Sequence, residues 1–197
     1  FGNAKYPSLS EPCPDYNGLT FAETFGDLAF TLYSHAVSLR DLGCTQSPMN
    51  AWITLNGVET LPLRMERHVE NAQKVAGFLQ QHPSVEWVSY AGLSSSPYYQ
   101  LAQKYLQGKA GSVFTFGIRG GYESGLLLLE KVELFSHVSN IGDSRSLILH
   151  PASTTHRQLS DEQRLTAGAG PEVIRLSVGI ESAEDLIADL EQALEGL

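Results

Sequence analysis

The sequence predicts an α/β layered domain from about residue 62 onward, preceded by an irregular and then helical stretch. Three observations predict it. Segments patterned as strands alternate with segments patterned as helices along this part of the chain, which is the signature of a sheet covered by helices. Met65, Val69, Ala72, Ala76 and Leu79 recur at steps of three and four, with Glu66, Arg67, Glu70, Gln73 and Lys74 between them, so one helical face is apolar. Phe114, Phe116 and Ile118 alternate with smaller residues, the period of a strand with one buried face.

Taken in order, residues 1–20 read as irregular, punctuated by Pro7, Pro12, Pro14 and Gly18. From Phe21 to Leu42 the pattern turns helical, with Leu28, Leu32, Ala36 and Leu39 on one face. Gly43 is the expected stop. Ser47-Pro48 then restarts a helix, serine as the cap and proline in the first turn. That helix runs to about Gln81 and is expected to be kinked or interrupted at Pro62, which lacks the backbone donor and crowds the preceding turn. Strands are expected at 85–90, 112–118, 134–139, 146–149 and 173–178, and helices at 98–106 and 123–131. Ser160-Asp161-Glu162-Gln163 has the form of a capping box opening a short helix. Ser182 and Asp185 cap a last helix that buries Leu186, Ile187, Leu190 and Leu194.

The bulk numbers narrow the functional classes. With 197 residues and 42% hydrophobic content the chain is long enough for a real core. A net charge of -9 with scattered basic residues argues against a nucleic-acid partner, because phosphate backbones need clustered Lys and Arg. No apolar run is long enough to span a membrane, and no signal-peptide pattern follows Phe1. Cys13 and Cys44 stand without His or Cys at metal-ligand spacing and read as two reduced thiols. The opening on Phe1 rather than Met leads to the expectation of a fragment.

Arg175 is the residue that most invites a chemical reading. In Val173–Val178 it shares one strand face with Val173 and Ser177, while Ile174, Leu176 and Val178 share the other. A guanidinium in a half-buried strand needs an anionic partner, and its planar fork suits a carboxylate. That partner is either an acidic side chain of the chain itself or the α-carboxylate of an amino-acid ligand. His150 and His156, six apart, do not fit a zinc site; the small hydroxyl residues between them predict a tight loop bonded to its own backbone. Ser136-His137 lacks a glycine elbow, so no hydrolase triad is expected, and Gly117, Gly120 and Gly121 do not form a dinucleotide fingerprint. His35, His68 and His82 read as surface or interface residues.

Four segments together carry a resemblance. They are Arg40–Gly43 with Ser47–Ala51, Gly57–Leu61 running into Arg64–Ala72, Asn140–Asp143 leading to His150–His156, and Arg175–Glu181 with Asp185-Leu186. In this order they resemble the C-terminal half of the Cys/Met-metabolism enzymes that depend on pyridoxal 5'-phosphate (PLP), and the likeness covers nearly the whole chain. Asn56-Gly57-Val58-Glu59-Thr60 is similar to the Gln-Gly-Leu-Glu-Thr run of the O-acetylhomoserine sulfhydrylases. Cystathionine γ-synthase, methionine γ-lyase, or a non-catalytic carboxylate-binding or oligomerisation module remain alternatives.

The resemblance implies a fold and a set of roles. The fold is the C-terminal small domain of a fold-type I PLP-dependent transferase, residues 62–197, preceded by the end of the large PLP-binding domain and a connecting helix, residues 1–61. Arg175 falls on the arginine that clamps the substrate α-carboxylate, Ser139 on a serine touching the same carboxylate, Asn140 beside it in the pocket, and Thr155 on a threonine supporting the anchor loop. The implied chemistry is γ-replacement with PLP as electron sink, in a cytoplasmic homotetramer. The family's cofactor lysine follows Ser-x-x-Lys, and none of Lys5, Lys74, Lys104, Lys109 and Lys131 has that context. No catalytic, cofactor-binding or metal-ligating residue is therefore expected in this chain, which is expected to be inactive alone.

Overall fold

In the computed structural model of the chain, the structure describes residues 4–197, so the first three residues of the stretch expected to be irregular lie outside the described residues. The chain divides into two compact units, one up to Gly57 and the other Val58–Leu197.

In the first unit, residues 4–20 are more ordered than their prolines predict. A short helix α1 (Pro7–Ser10) starts on its proline, and a bridge pairs Cys13 with Leu19. The helical tract that follows is segmented: α2 (Phe21–Phe25), a tight turn at Gly26–Leu28, α3 (Ala29–Tyr33), a wider turn of helix at Ser34–Leu39, and α4 (Arg40–Leu42). Gly26 at φ 52° breaks the helical register, so Leu28 does not join the apolar face and is 61% exposed. The buried apolar residues here are Leu9, Phe21 and Ala29, with the Phe21 ring edge-on to Tyr16 and Tyr33. The Tyr16 hydroxyl donates to the Ala36 carbonyl. Gly43, at φ 64°, ends the tract in the left-handed conformation that a glycine adopts without cost. Cys13 and Cys44 are free thiols.

Helix α5 (Pro48–Gln81) opens as its sequence predicts, the Asn50 N–H donating to the Ser47 hydroxyl at 3.2 Å. Pro62 does not interrupt it. Proline removes the helical donor for the Val58 carbonyl, but Val58, Leu61 and Leu63 are all exposed, so solvent reaches that carbonyl and the helix tolerates the loss.

The second unit is built on a four-stranded antiparallel sheet in the order β1-β2-β4-β3, with β1 Val85–Ser89, β2 Val113–Ile118, β3 Leu147–Leu149 and β4 Val173–Ser177. One sheet face presents Phe114, Phe116, Ile118, Ile148, Ile174 and Leu176, all buried. The core over that face comes from Ala72, Val75, Ala76 and Leu79 of α5, Leu128 of α7 (Gly121–Lys131), and Leu186, Leu190, Ala193 and Leu194 of α9 (Ala183–Leu194). Helices α6 (Tyr99–Leu106) and α8 (Asp161–Thr166) complete the unit. The α8 capping box is present in both directions: Ser160 Oγ accepts from Gln163 N–H, and Gln163 Oε1 accepts from Ser160 N–H. The family-level expectation of an α/β fold with helices on a sheet holds.

Two further expectations fail. Residues 134–139 are not a strand; only Ser136 bridges to Leu147. The N–H groups of Glu133, Leu134 and Phe135 donate instead to the buried Asp189 carboxylate on α9, at 2.8, 2.9 and 3.1 Å. Donors satisfied by a side chain are not available to a ladder. His68, expected at the surface or an interface, is 1% exposed within the unit; its Nδ1 lies 2.6 Å from the Val178 carbonyl oxygen. Asn71, one helical turn on, donates to the Gly179 and Glu181 carbonyls. Together they tie α5 to the end of β4. Among the described residues no helix is long and apolar enough to cross a membrane.

Candidate functional site

The register of the sheet places one row of residues across four strands: Ser89 opposite Thr115, Thr115 opposite Arg175, and Arg175 opposite Leu149. Side chains directly opposite one another share a face. This row lies on the face away from the sealed core. Arg175 is half-buried there, between buried Val173 and Ser177 on its own strand.

Arg175 Nη2 donates to the Asn140 backbone carbonyl at 3.3 Å. Among the described residues no carboxylate lies within ion-pair distance of its guanidinium. The nearby Arg145 behaves differently. Its side chain and its backbone N–H both donate to Asp143, and these bonds hold the Asp143 carboxyl below the usual carboxylate range. That pair neutralises itself within the loop, whereas most of the Arg175 fork remains uncommitted. An anion with two coplanar oxygens is its natural complement.

The loop from Ser136 to Ser146 brings Asn140 to Arg175. Its first end is set by the three N–H bonds to Asp189, the burial of Phe135, and the Ser136 bridge. Its second end is set by Glu181, which accepts from Ser146 N–H at 2.6 Å and from the Ser146 hydroxyl at 2.9 Å. That hydroxyl in turn accepts from the Gly179 N–H at 2.8 Å. A side chain at Gly179 would collide with the Ser144 carbonyl oxygen, so this close approach requires glycine. Asp189 does not stand out in the sequence, and Glu181 enters it only as the last residue of the Arg175–Glu181 segment, with no role attached. Their partners are 54–56 and 35 residues away and leave no periodic signal.

The sequence-predicted site residues divide. Arg175 and Asn140 meet, but through the Asn140 carbonyl; its side-chain oxygen accepts from the Ile141 N–H. Ser139 adjoins them and is exposed. Thr155 is exposed on the following turn, its hydroxyl 2.9 Å from His156 Nδ1, and no hydrogen bond among the described residues joins it to Arg175 or Asn140. The turn has the self-bonded form its hydroxyl residues predict: Ser153 and Thr154 both donate to the His150 carbonyl. The His150 ring is buried, with Nε2 2.8 Å from the Pro171 carbonyl oxygen. A carbonyl only accepts, so Nε2 carries the proton, and burial pushes the imidazole pKa down toward the neutral ring.

Among the described residues the lysines that could meet the phosphate of PLP are already engaged. Lys74 and Lys109 border a groove of about 470 Å³, but Glu66 and Glu70 border it too and are paired with them. A phosphate dianion there would displace existing ion pairs and face carboxylates. Lys131 donates to the Glu195 carbonyl, and Lys104 lies over the Tyr105 ring. Lys5 lies over Tyr6. Among the described residues no group of His, Cys, Asp and Glu is placed to hold a metal ion.

Comparison with known proteins agrees with the fold. The pattern of the Cys/Met metabolism PLP-dependent enzymes matches residues 18–195. O-acetyl-L-homoserine sulfhydrylase 1 of Thermus thermophilus is 50% identical over 190 residues, covering 96% of this chain and 45% of that protein. The O-acetyl-L-homoserine sulfhydrylase of Leptospira meyeri is 49% identical over 206 residues, covering 100% of this chain and 47% of that protein. A crystal structure described as an O-acetylhomoserine (thiol)-lyase from Campylobacter jejuni, containing N'-pyridoxyl-lysine-5'-monophosphate, superposes with a TM-score of 0.86 at 43% identity, over 98% of this chain and 46% of that one. The chain thus spans about half the length of the curated relatives it matches.

Proposed function

We propose that this chain, which belongs to the Cys/Met metabolism PLP-dependent enzymes, is the C-terminal part of an O-acetylhomoserine sulfhydrylase and supplies the side of the site that holds the substrate α-carboxylate. In the reaction acetate leaves Cγ of O-acetylhomoserine, and sulfide or methanethiol takes its place to give homocysteine or methionine. The single observation that carries the reading is Arg175: half-buried, fixed at one nitrogen by the Asn140 carbonyl, and without a carboxylate partner among the described residues. A bidentate clamp on the carboxylate fixes the amino acid's orientation, and orientation is where such a group contributes most to rate. On this reading Ser139 and Asn140 border the substrate carboxylate, and the family resemblance gives Thr155 the role of supporting the anchor loop.

The relatives' names and the Asn56–Thr60 run favour this over cystathionine γ-synthase or methionine γ-lyase. PLP and its lysine belong to a part of the enzyme outside this chain. The division of the structure at Gly57 and Val58 supports the assignment of the first segment, residues 1–61, to the end of the PLP-binding domain and of residues 62–197 to the C-terminal domain. Homotetrameric assembly and a cytoplasmic location follow from the family resemblance alone.

The test uses the enzyme that contains this chain. It is expected to release acetate from O-acetyl-L-homoserine when sulfide is supplied. Arg175→Ala should lower kcat/KM by roughly a hundredfold or more, the loss typical of removing one partner of a charge-assisted pair, with the PLP absorbance retained. Unchanged kinetics would overturn the clamp. This chain alone, mixed with PLP, should develop no lysine-dependent absorbance band; a robust one would overturn the assignment of the cofactor lysine elsewhere.

A further inference from the structure

We propose that Asp189 and Glu181 are positioning residues of the carboxylate clamp, fixing the two ends of the loop whose Asn140 carbonyl holds the Arg175 guanidinium. The inference rests on the carboxylate-binding reading above.

Residues 137–142 are all exposed, so packing does not place Ser139 and Asn140. Their position is inherited from the loop's ends. At the first end, Asp189 accepts three consecutive backbone N–H bonds from Glu133, Leu134 and Phe135, and a fourth from the Gln192 side chain at 3.0 Å. It is 7% exposed. A carboxylate is buried at such a place only when its oxygens are fully engaged, and bonds to an ionised acceptor are stronger than those of a neutral ladder. The same bonds divert this segment from strand geometry and send it across β3 at Ser136 toward Arg175. At the second end, both Glu181 oxygens engage Ser146, and the Ile180 N–H donates to the Ser144 carbonyl at 2.9 Å. Glu181 lies six residues past Arg175 along the same chain segment. The loop is therefore referenced to β4 on one side and to α9 on the other.

Between these ends, apart from the Asn140 carbonyl's bond from Arg175, the bonds of the loop among the described residues are local: Val138 N–H to the Ser136 carbonyl, Ile141 N–H to the Asn140 side chain, and Arg145 to Asp143. Loosening either end lets Asn140 drift from Arg175 and leaves the guanidinium free to rotate. A small displacement of an anchoring group is costly for a ligand that must be held bidentately.

The experiment compares binding of L-homoserine with binding of 3-aminopropan-1-ol, the same molecule without its carboxylate, to the PLP-loaded enzyme containing this chain. The ratio of the two affinities reads the carboxylate site alone, and thermal unfolding reads stability separately. Asp189→Asn and Glu181→Gln are each expected to lower that ratio about tenfold, with 3-aminopropan-1-ol affinity changed less than about twofold. A ratio equal to the parent's, whatever the change in Tm, overturns the proposal and leaves Asp189 and Glu181 as structural staples. If Asp189→Asn yields no folded enzyme, Glu181→Gln decides by the same criterion. Arg175→Ala separates the two levels. A ratio that survives Arg175→Ala overturns the clamp itself; a ratio that collapses there but not in the other two variants overturns only the positioning role.

Discussion

The two faces of the four-stranded sheet are made from alternate residues of the same strands, yet they differ in kind. On one, Phe114, Phe116, Ile148, Ile174 and Leu176 meet apolar side chains of α5, α7 and α9 in one buried hydrophobic cluster. On the other, Thr115, Arg175 and Ser89 form a polar row, bordered by buried Leu149, Val173 and Ser177 and by a loop held with carboxylates rather than by packing. The sealed face sets where β4 lies; the open face uses that rigidity to present one guanidinium. Neighbouring residues of one strand thus have separable jobs, stability for Leu176 and recognition for Arg175.

The largest effect should come from the sealed face. Leu176 is fully buried, and Leu176→Ala should destabilise the protein by about 2–5 kcal/mol, read from the urea midpoint, because the methyl groups removed leave a cavity the three helices cannot close. A loss below about 1 kcal/mol would mean that this face is less tightly packed than its burial implies.

The next effect concerns the same face and pH. Tyr90 packs against Phe114 with ring centroids 5.2 Å apart, and its hydroxyl donates to the Gly111 carbonyl at 2.8 Å. Burial pushes its phenol from 10.0 up to about 12. The folded state therefore holds the proton more tightly than the unfolded state. Its contribution is complete below pH 10 and is lost as pH rises toward 12, a decline of about 2–3 kcal/mol. Tyr90→Phe should flatten that part of the alkaline stability profile. An unchanged profile would show that Tyr90 is already open to solvent.

How legible each face was in the sequence follows from the physics that builds it. The sealed face could be read almost residue by residue, because Phe114–Ile118, Val173–Val178 and Leu186–Leu194 carry the periods of strand and helix. The capping box at Ser160 and the stop at Gly43 were legible for the same reason: their partners are a few residues away. What escaped depends on long-range or context-bound groups. The apolar texture of 134–139 promised a strand, but a carboxylate more than fifty residues later takes its donors. His68 lies off the simplest apolar stripe and is buried because a carbonyl 110 residues on lies within 2.6 Å of its ring. Pro62 promised a break that an exposed helix surface does not enforce. Arg175 was legible as an anomaly in a strand, and the family resemblance supplied its candidate partner. The loop that fixes it was not, since its holders act through backbone donors that any residue could provide.

The smallest effect is the sharpest test of the division of labour. Arg175→Leu keeps side-chain bulk on the open face and removes a cation whose desolvation is only partly offset by one 3.3 Å bond to the Asn140 carbonyl. Replacing a poorly compensated charge with an apolar residue of similar size is close to neutral or slightly stabilising. The Asn140 carbonyl is exposed and can turn to solvent. The expected change in unfolding free energy is therefore within about 0.5 kcal/mol, measured by urea denaturation, in the same variant that loses carboxylate recognition. A destabilisation comparable to that of Leu176→Ala would make Arg175 part of the scaffold. Near-neutral stability would mean instead that the protein keeps an arginine in mid-strand for something other than its own folding.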